Sequence, residues 1–386
     1  MGANSTVPRN LDDAENELHN AARRGTGLND FGDPAYRKGL RTFLSACCTD
    51  LPQTDANWQF ACATVRSTLI ARLYTQKGWA EHPEALNDPI HKLLLITGLP
   101  RTGTTALHKL LSVDPQFQGV ELWLMSTPMR RPPRETWETY KEYRACVARI
   151  AATNTMNPEL RKAHELVAGD PGECDVILAQ NFLLAHPLTR VLMPTYSNWY
   201  AAQSRRESYR RYADVLRLIG SSEPHKMWVL KSPHRMTEIE AMLEEFPDAR
   251  VIQTHRDPLQ TIPSHCDLLR MSLGGRVRPE QLGPMECSFW RQALDRMEIV
   301  RQKRPRQFFD VDHRQFLADP LGTVCSIYEH FGLTLSDRAE QKMREWIAAS
   351  PTSRHGKHQY ALEGWGITRA QIGETFARYR AQHQFA

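Results

Sequence analysis

The chain predicts an α/β protein in which a central parallel β-sheet is flanked by helices in three layers, with a helical segment over residues 1–90 ahead of it. Three observations carry that expectation. An apolar run at 93–97 passes into a tight loop from Gly98 to Gly103 and then into an amphipathic helix, the order in which strands and helices alternate around a parallel sheet. Further short apolar runs recur at 227–230, 250–254 and 308–311, with helical spacers between them. Residues 1–90 carry only the helical period.

That first segment divides into a polar helix at 12–24 and amphipathic helices at 35–50 and 57–77, the last with Leu69, Ile70, Leu73 and Tyr74 as its apolar stripe. Pro83 and Pro89, on either side of Asn87 and Asp88, mark the connector into residues 91–386. Within 91–386 the helical pattern predicts helices at 103–112, 134–151, 174–184, 205–219, 236–246, 259–271, 287–303, 321–331, 339–348 and 369–380.

With 386 residues, 41% of them hydrophobic, the chain can bury a full core. A net charge of +5 is mild, and the arginines are spread along the chain. That balance favours an anionic small molecule and no nucleic acid. The eight cysteines form no C-x-x-C pair and have no histidine at zinc-finger spacing, so they read as reduced, buried cysteines of a cytoplasmic protein. No apolar run approaches the roughly 20 residues that span a bilayer, so no transmembrane segment is expected.

The loop after the first strand is the strongest chemical signal. Against G-x-x-x-x-G-K-[ST] it matches at Gly98, Gly103 and Thr105, and Thr104 stands where the lysine would be. Backbone N–H groups and a helix N-terminus there face an anion. Without that lysine, and with Arg101 in its middle, the loop suits a phosphate-type group with no γ-phosphate and no required metal. A second anion motif is the strand end at His255 and Arg256, followed by a helix opened by Asp257 and Pro258 that carries Ser264. Arg256 and Ser264 can converge on one phosphate.

Together, Pro100-Arg-Thr-Gly-Thr-Thr105 and the Arg256…Ser264 couple resemble the sulfotransferases that use 3′-phosphoadenosine 5′-phosphosulfate, over roughly residues 90–365. The resemblance implies a P-loop-like fold. It also implies that Arg101, Thr102, Gly103, Thr104 and Thr105 hold the 5′-phosphosulfate, and that Arg256 and Ser264, eight positions apart as in the family, hold the 3′-phosphate. It implies a late flexible loop over the phosphates, matched here by Gly356 and Lys357, and adenosine 3′,5′-bisphosphate as product. Arg101 would contact the sulfuryl group. Lys231, at the end of a strand and the ligand edge of the sheet, would stabilise the transition state.

The base is left between two residues. Cytosolic members carry Lys-x-His at the Lys231 position; here Pro233 stands two residues on and His234 three. Tyrosylprotein-type members use a glutamate in Gly-Glu-Glu; here the stretch is Gly119-Val120-Glu121. Glu173 and Asp175 read instead as a helix-start cluster offsetting the helix dipole, and His108 as a packed or surface residue. The expected activity is sulfuryl transfer to a hydroxyl or amine of a small-molecule or lipid acceptor. The alternatives are a kinase-like nucleotide phosphotransferase and a nucleotide-binding module without catalysis. Trp123, Trp137, Met125 and Met129 read either as an acceptor pocket or as core. Residues 1–90 could shape that pocket or support a homo-oligomer.

Overall fold

Strand β1, Leu93–Gly98, is buried along its whole length, and its side chains divide between two cores. Leu93 and Leu95 face one apolar cluster, while Leu94 and Ile96 face the other, the two-residue alternation of a strand covered on both sides. In the computed structural model, which describes residues 10–90, 92–163, 165–185, 187–350 and 364–385, β1 is the middle of a five-stranded parallel sheet. Its companions are β2 (Phe117–Gln118), β3 (Met227–Lys231), β4 (Arg250–His255) and β5 (Phe308–Asp312), in the order β2-β3-β1-β4-β5.

The expected strands at 93–97, 227–230, 250–254 and 308–311 are all present. β2 has only two residues and pairs Phe117 with Met227 and Gln118 with Trp228; two residues carry no periodicity from which to infer a strand.

The first segment forms α1 (Leu11–Thr26), α2 (Tyr36–Thr49) and α3 (Asp55–Glu81). Leu18, Leu40, Phe43, Val65 and Leu69 join the same buried cluster as Leu93, Leu95, Trp228 and Leu230. Arg72 of α3, 1% exposed, ties the segment down by donating to the carbonyls of Phe31, Asp33 and Gln180 at 2.8–3.0 Å. A guanidinium can be buried this deeply because its planar fork of donors finds acceptors on several sides.

Several expected helices are broken by local chemistry. The stretch 134–151 becomes a 3-10 turn, Arg134–Thr139, and a helix, Lys141–Met156. The stretch 174–184 shrinks to Asp175–Leu178 and a 3-10 turn. The helix expected from 287 starts at Pro279, its proline at the first position where no N–H is needed.

Candidate active site

β1 ends at Gly98 with φ +141°, and a Cβ there would lie 2.4 Å from the backbone oxygen of Thr254 on β4. Only glycine permits that approach. The loop then turns through Arg101 at φ +67° and Gly103 at φ +87°. A positive φ at Arg101 is sparsely populated for a side chain of that size, and such strain collects at ligand-binding turns. Helix α4 (Thr104–Ser112) follows directly, its N-terminus capped by no side chain. Its first-turn N–H groups are therefore available to an anion.

Thr102 fastens the loop by donating to the carbonyl of Leu99 at 2.6 Å and meeting the hydroxyl of Thr254 at 2.5 Å.

The two anion motifs meet. Arg101 Nε donates to Ser264 Oγ at 3.0 Å, and Arg256 donates to the carbonyl of Arg101 at 3.0 Å and to Gln260 at 3.0 Å. Arg256 leaves the end of β4, while Ser264 stands on the helix Pro258–Leu273, opened by Asp257 accepting the N–H of Leu259. β1 and β4 are hydrogen-bonded neighbours up to Gly98 and Thr254, so the loops leaving their carboxyl ends start side by side. Ligands bind at such strand ends in open α/β sheets.

On the other side of β1, Lys231 closes β3, paired with Ile96. Its side chain is 2% exposed and its Nζ lies 2.6 Å from Glu173 Oε1 and 3.2 Å from Thr105 Oγ1. A buried ammonium requires such partners. Residues 171–173 form isolated bridges, Glu121 to Pro171 and Glu173 to Lys231, which brings the Glu173 carboxylate to Lys231, the residue that contacts Thr105 at the start of α4. Sequence reasoning missed that role for Glu173. Its partner lies 58 positions away, and no local pattern announces the pairing.

The neighbouring acids are differently engaged. Asp175 accepts from Ser232 at 3.0 Å and from Arg235, which also donates to Glu238 at 2.9 Å. Burial pushes the pKa of Asp175 up, but the Arg235 charge outweighs it and holds the carboxyl well below its usual range. Glu121 is ion-paired to Arg131 at 3.1 Å, and Arg131 also donates to Gln118 and to the carbonyl of Gly119. His234 packs against Trp290, ring centroids 5.6 Å apart, with Nδ1 3.6 Å from Asp175.

Glu173, Asp175 and His234 bring three ligand-type atoms within 4.8 Å of one another. Lys231 and Arg235 already sit on the two carboxylates, so the donor set does not suit a cation.

His108, on α4 one turn beyond Thr105, is 1% exposed and lies 3.2 Å from the Val229 carbonyl. Burial first, and the nearby Lys231 charge second, push its pKa down to about 3. Trp123, Trp137 and Met125 are core: the Trp123 ring packs on Trp137, Tyr140 and Tyr143 at 5.5–5.9 Å. Gly356 and Lys357 lie outside the described residues. All eight cysteines are unpaired, and no described helix is long and apolar enough to cross a membrane.

Comparison with known proteins agrees on one family. A model of the sulfotransferase family matches residues 94–337. The omega-hydroxy-beta-dihydromenaquinone-9 sulfotransferase Stf3 of Mycobacterium bovis and of Mycobacterium tuberculosis is 24% identical over 303 residues, covering 74% of this chain and 74% of its own length. Among solved structures, sulfotransferase STF1 from Mycobacterium tuberculosis H37Rv superposes with a TM-score of 0.84 at 36% identity, covering 94% of this chain and 98% of its own. Sulfotransferase STF9 from Mycobacterium avium gives 0.86 at 25% identity, covering 99% and 98%.

Proposed function

The chain belongs to the sulfotransferase family, and from that premise we propose that it moves a sulfuryl group from 3′-phosphoadenosine 5′-phosphosulfate to a hydroxyl on a small-molecule or lipid acceptor. The observation that carries this reading is the junction of the two anion motifs, Arg101 to Ser264 at 3.0 Å and Arg256 to the Arg101 carbonyl at 3.0 Å. It suits a ligand with anionic groups at two ends. The loop Arg101–Thr105 would hold the 5′ end, and Arg256 and Ser264 the 3′-phosphate.

What the donor supplies when bound is an activated sulfuryl group on a phosphosulfate. The residues of this chain position, offset charge and move a proton. Arg101 and Lys231 bring positive charge to the side of the loop where negative charge builds on the leaving phosphate. We assign the base to Glu173. Its carboxylate accepts from Lys231, which also reaches the Thr105 hydroxyl at the start of α4, and its side chain is 34% exposed, so an acceptor hydroxyl can reach it from outside. Glu121, under Arg131, and His234, against Trp290, rank behind it. As Lys231 turns toward the developing charge it loosens its hold on Glu173, which then accepts the hydroxyl proton.

The acceptor is proposed to be largely apolar, in line with the quinone named for the Stf3 relatives, and the eight free cysteines fit a cytoplasmic setting. The test is transfer of radiolabelled sulfate from the donor, without magnesium, to a panel of phenols, sterols, glycolipids, sugars and hydroxylated quinones. Label in one apolar acceptor class is the expected result. Magnesium-dependent turnover of ATP with no labelled product would replace this reading with phosphoryl transfer, and nucleotide binding without transfer to any acceptor would leave a binding module.

A further inference from the structure

The helix Ala377–Gln382 is separate in sequence from the anion loop, yet its residues bracket the turn that carries Arg256. Tyr379, 9% exposed, places its hydroxyl 2.9 Å from Nδ1 of His255, the residue before Arg256, and accepts the backbone N–H of Arg256 itself. On the other side, Arg380 Nε donates to Asp257 Oδ1 at 3.0 Å, the oxygen that also accepts the N–H of Leu259 at the start of the following helix. His383 stacks on His255 with ring centroids 3.8 Å apart. Arg314 holds the carbonyls of His383 and Gln384 at 3.2 Å, while Asp310 on β5 meets His255 Nε2 at 2.6 Å.

A six-residue helix has almost no stability of its own, so contacts with the rest of the fold must hold it in place. Here the polar ties converge on three consecutive residues, 255–257, whose middle member is the proposed phosphate ligand. Arg256 has a long side chain with much rotamer freedom, so its aim depends on a fixed backbone beneath it.

We infer that Tyr379 and Arg380, with His383, are positioning residues: they clamp the 255–257 turn so that the Arg256 guanidinium is presented to the 3′-phosphate. The inference rests on the donor reading above and adds a specific consequence. Loosening the clamp weakens a ligand that carries the 3′-phosphate and spares one that lacks it, whereas a purely structural role of this helix would weaken both.

The experiment titrates the full chain and its variants calorimetrically with adenosine 3′,5′-bisphosphate and with adenosine 5′-monophosphate, after thermal unfolding has shown each variant folded. In Arg380→Ala and Tyr379→Phe the bisphosphate affinity is expected to fall about tenfold, the scale of a lost charge-assisted contact. The monophosphate affinity stays within about twofold, and Arg380→Lys recovers part of the loss. Added to Arg256→Ala, Arg380→Ala causes little further loss, because both act through one guanidinium. Equal weakening of both ligands, or no change in either, overturns the clamp while leaving the donor reading intact. A parent chain that binds both ligands alike removes the donor reading, and the clamp with it.

Discussion

Arg101 and Ser264, 163 positions apart in the chain, are joined by a 3.0 Å hydrogen bond in which the Arg101 Nε donates to the serine oxygen. Because Ser264 accepts there, its own O–H remains able to donate to an anion. Arg101 meets the serine through its Nε, and its guanidinium carries further donors in the same plane. One bond thus links the residue assigned to the 5′ end of the donor with one assigned to the 3′ end. Parallel pairing of β1 and β4 brings this about, by delivering both loops to the same edge of the sheet.

Glu173→Gln is expected to lower kcat by a factor on the order of 10² to 10⁴, the usual contribution of a general base, with the affinity for adenosine bisphosphate nearly unchanged. Steady-state kinetics beside calorimetry separates the two. Glu121→Gln and His234→Ala should each cost less than Glu173→Gln; a larger loss in either would move the base to that residue.

Lys231→Ala should reduce kcat by about 10² to 10³, the range seen when one charge-stabilising donor is removed. It also leaves the Glu173 carboxylate without its 2.6 Å partner. Pre-steady-state measurement of the transfer step would register the change; an unchanged step would make Lys231 a structural pair for Glu173 alone.

Asp175→Asn is expected to destabilise the fold by about 3 kcal/mol, because breaking a buried ion pair leaves its partner charge under-compensated. The partner is Arg235, whose side chain is 2% exposed. Urea unfolding near neutral pH gives the number. A loss well under about 1 kcal/mol would show that Glu238 and the Tyr209 hydroxyl, which accepts from Arg235 at 2.7 Å, suffice for Arg235.

The reach of sequence reasoning follows from the range of each interaction. β1, β3, β4 and β5 were legible because each is a local apolar run, and the Arg256 to Ser264 spacing because it spans one strand–turn–helix. The pairing of Lys231 with Glu173 and of Arg235 with Asp175 was not. Those partners lie 58 and 60 positions apart and meet only after β3 is in the sheet. Glu173 and Asp175 therefore read as dipole-offsetting acids when they are the counter-charges of two buried cations. Trp123 and Met125, whose role stayed open between pocket and core, needed the neighbouring Trp137, Tyr140 and Tyr143 to be placed before they could be assigned to the core.

Acidification should weaken the fold through His108. Its pKa is held near 3 in the folded state, against 6.5 as the ordinary value, so the unfolded chain binds the extra proton first. Stability is then fully present above about pH 6.5 and is lost as pH falls toward the folded value. Between about pH 7.5 and about pH 5 the expected loss from this one group is roughly 2 kcal/mol. Urea unfolding at the two pH values checks it, and His108→Gln should show a shallower decline. An equal decline in the variant would assign the sensitivity to other groups.

If the Arg101 loop and the Arg256–Ser264 couple grip one bisphosphorylated adenosine, calorimetric titration of adenosine 3′,5′-bisphosphate into the parent chain and Arg256→Ala will show it. Saturable binding well below millimolar in the parent, weakened about tenfold or more in the variant, is the result this account requires. A folded parent chain that fails to bind, or an Arg256→Ala chain that binds as tightly, would contradict it.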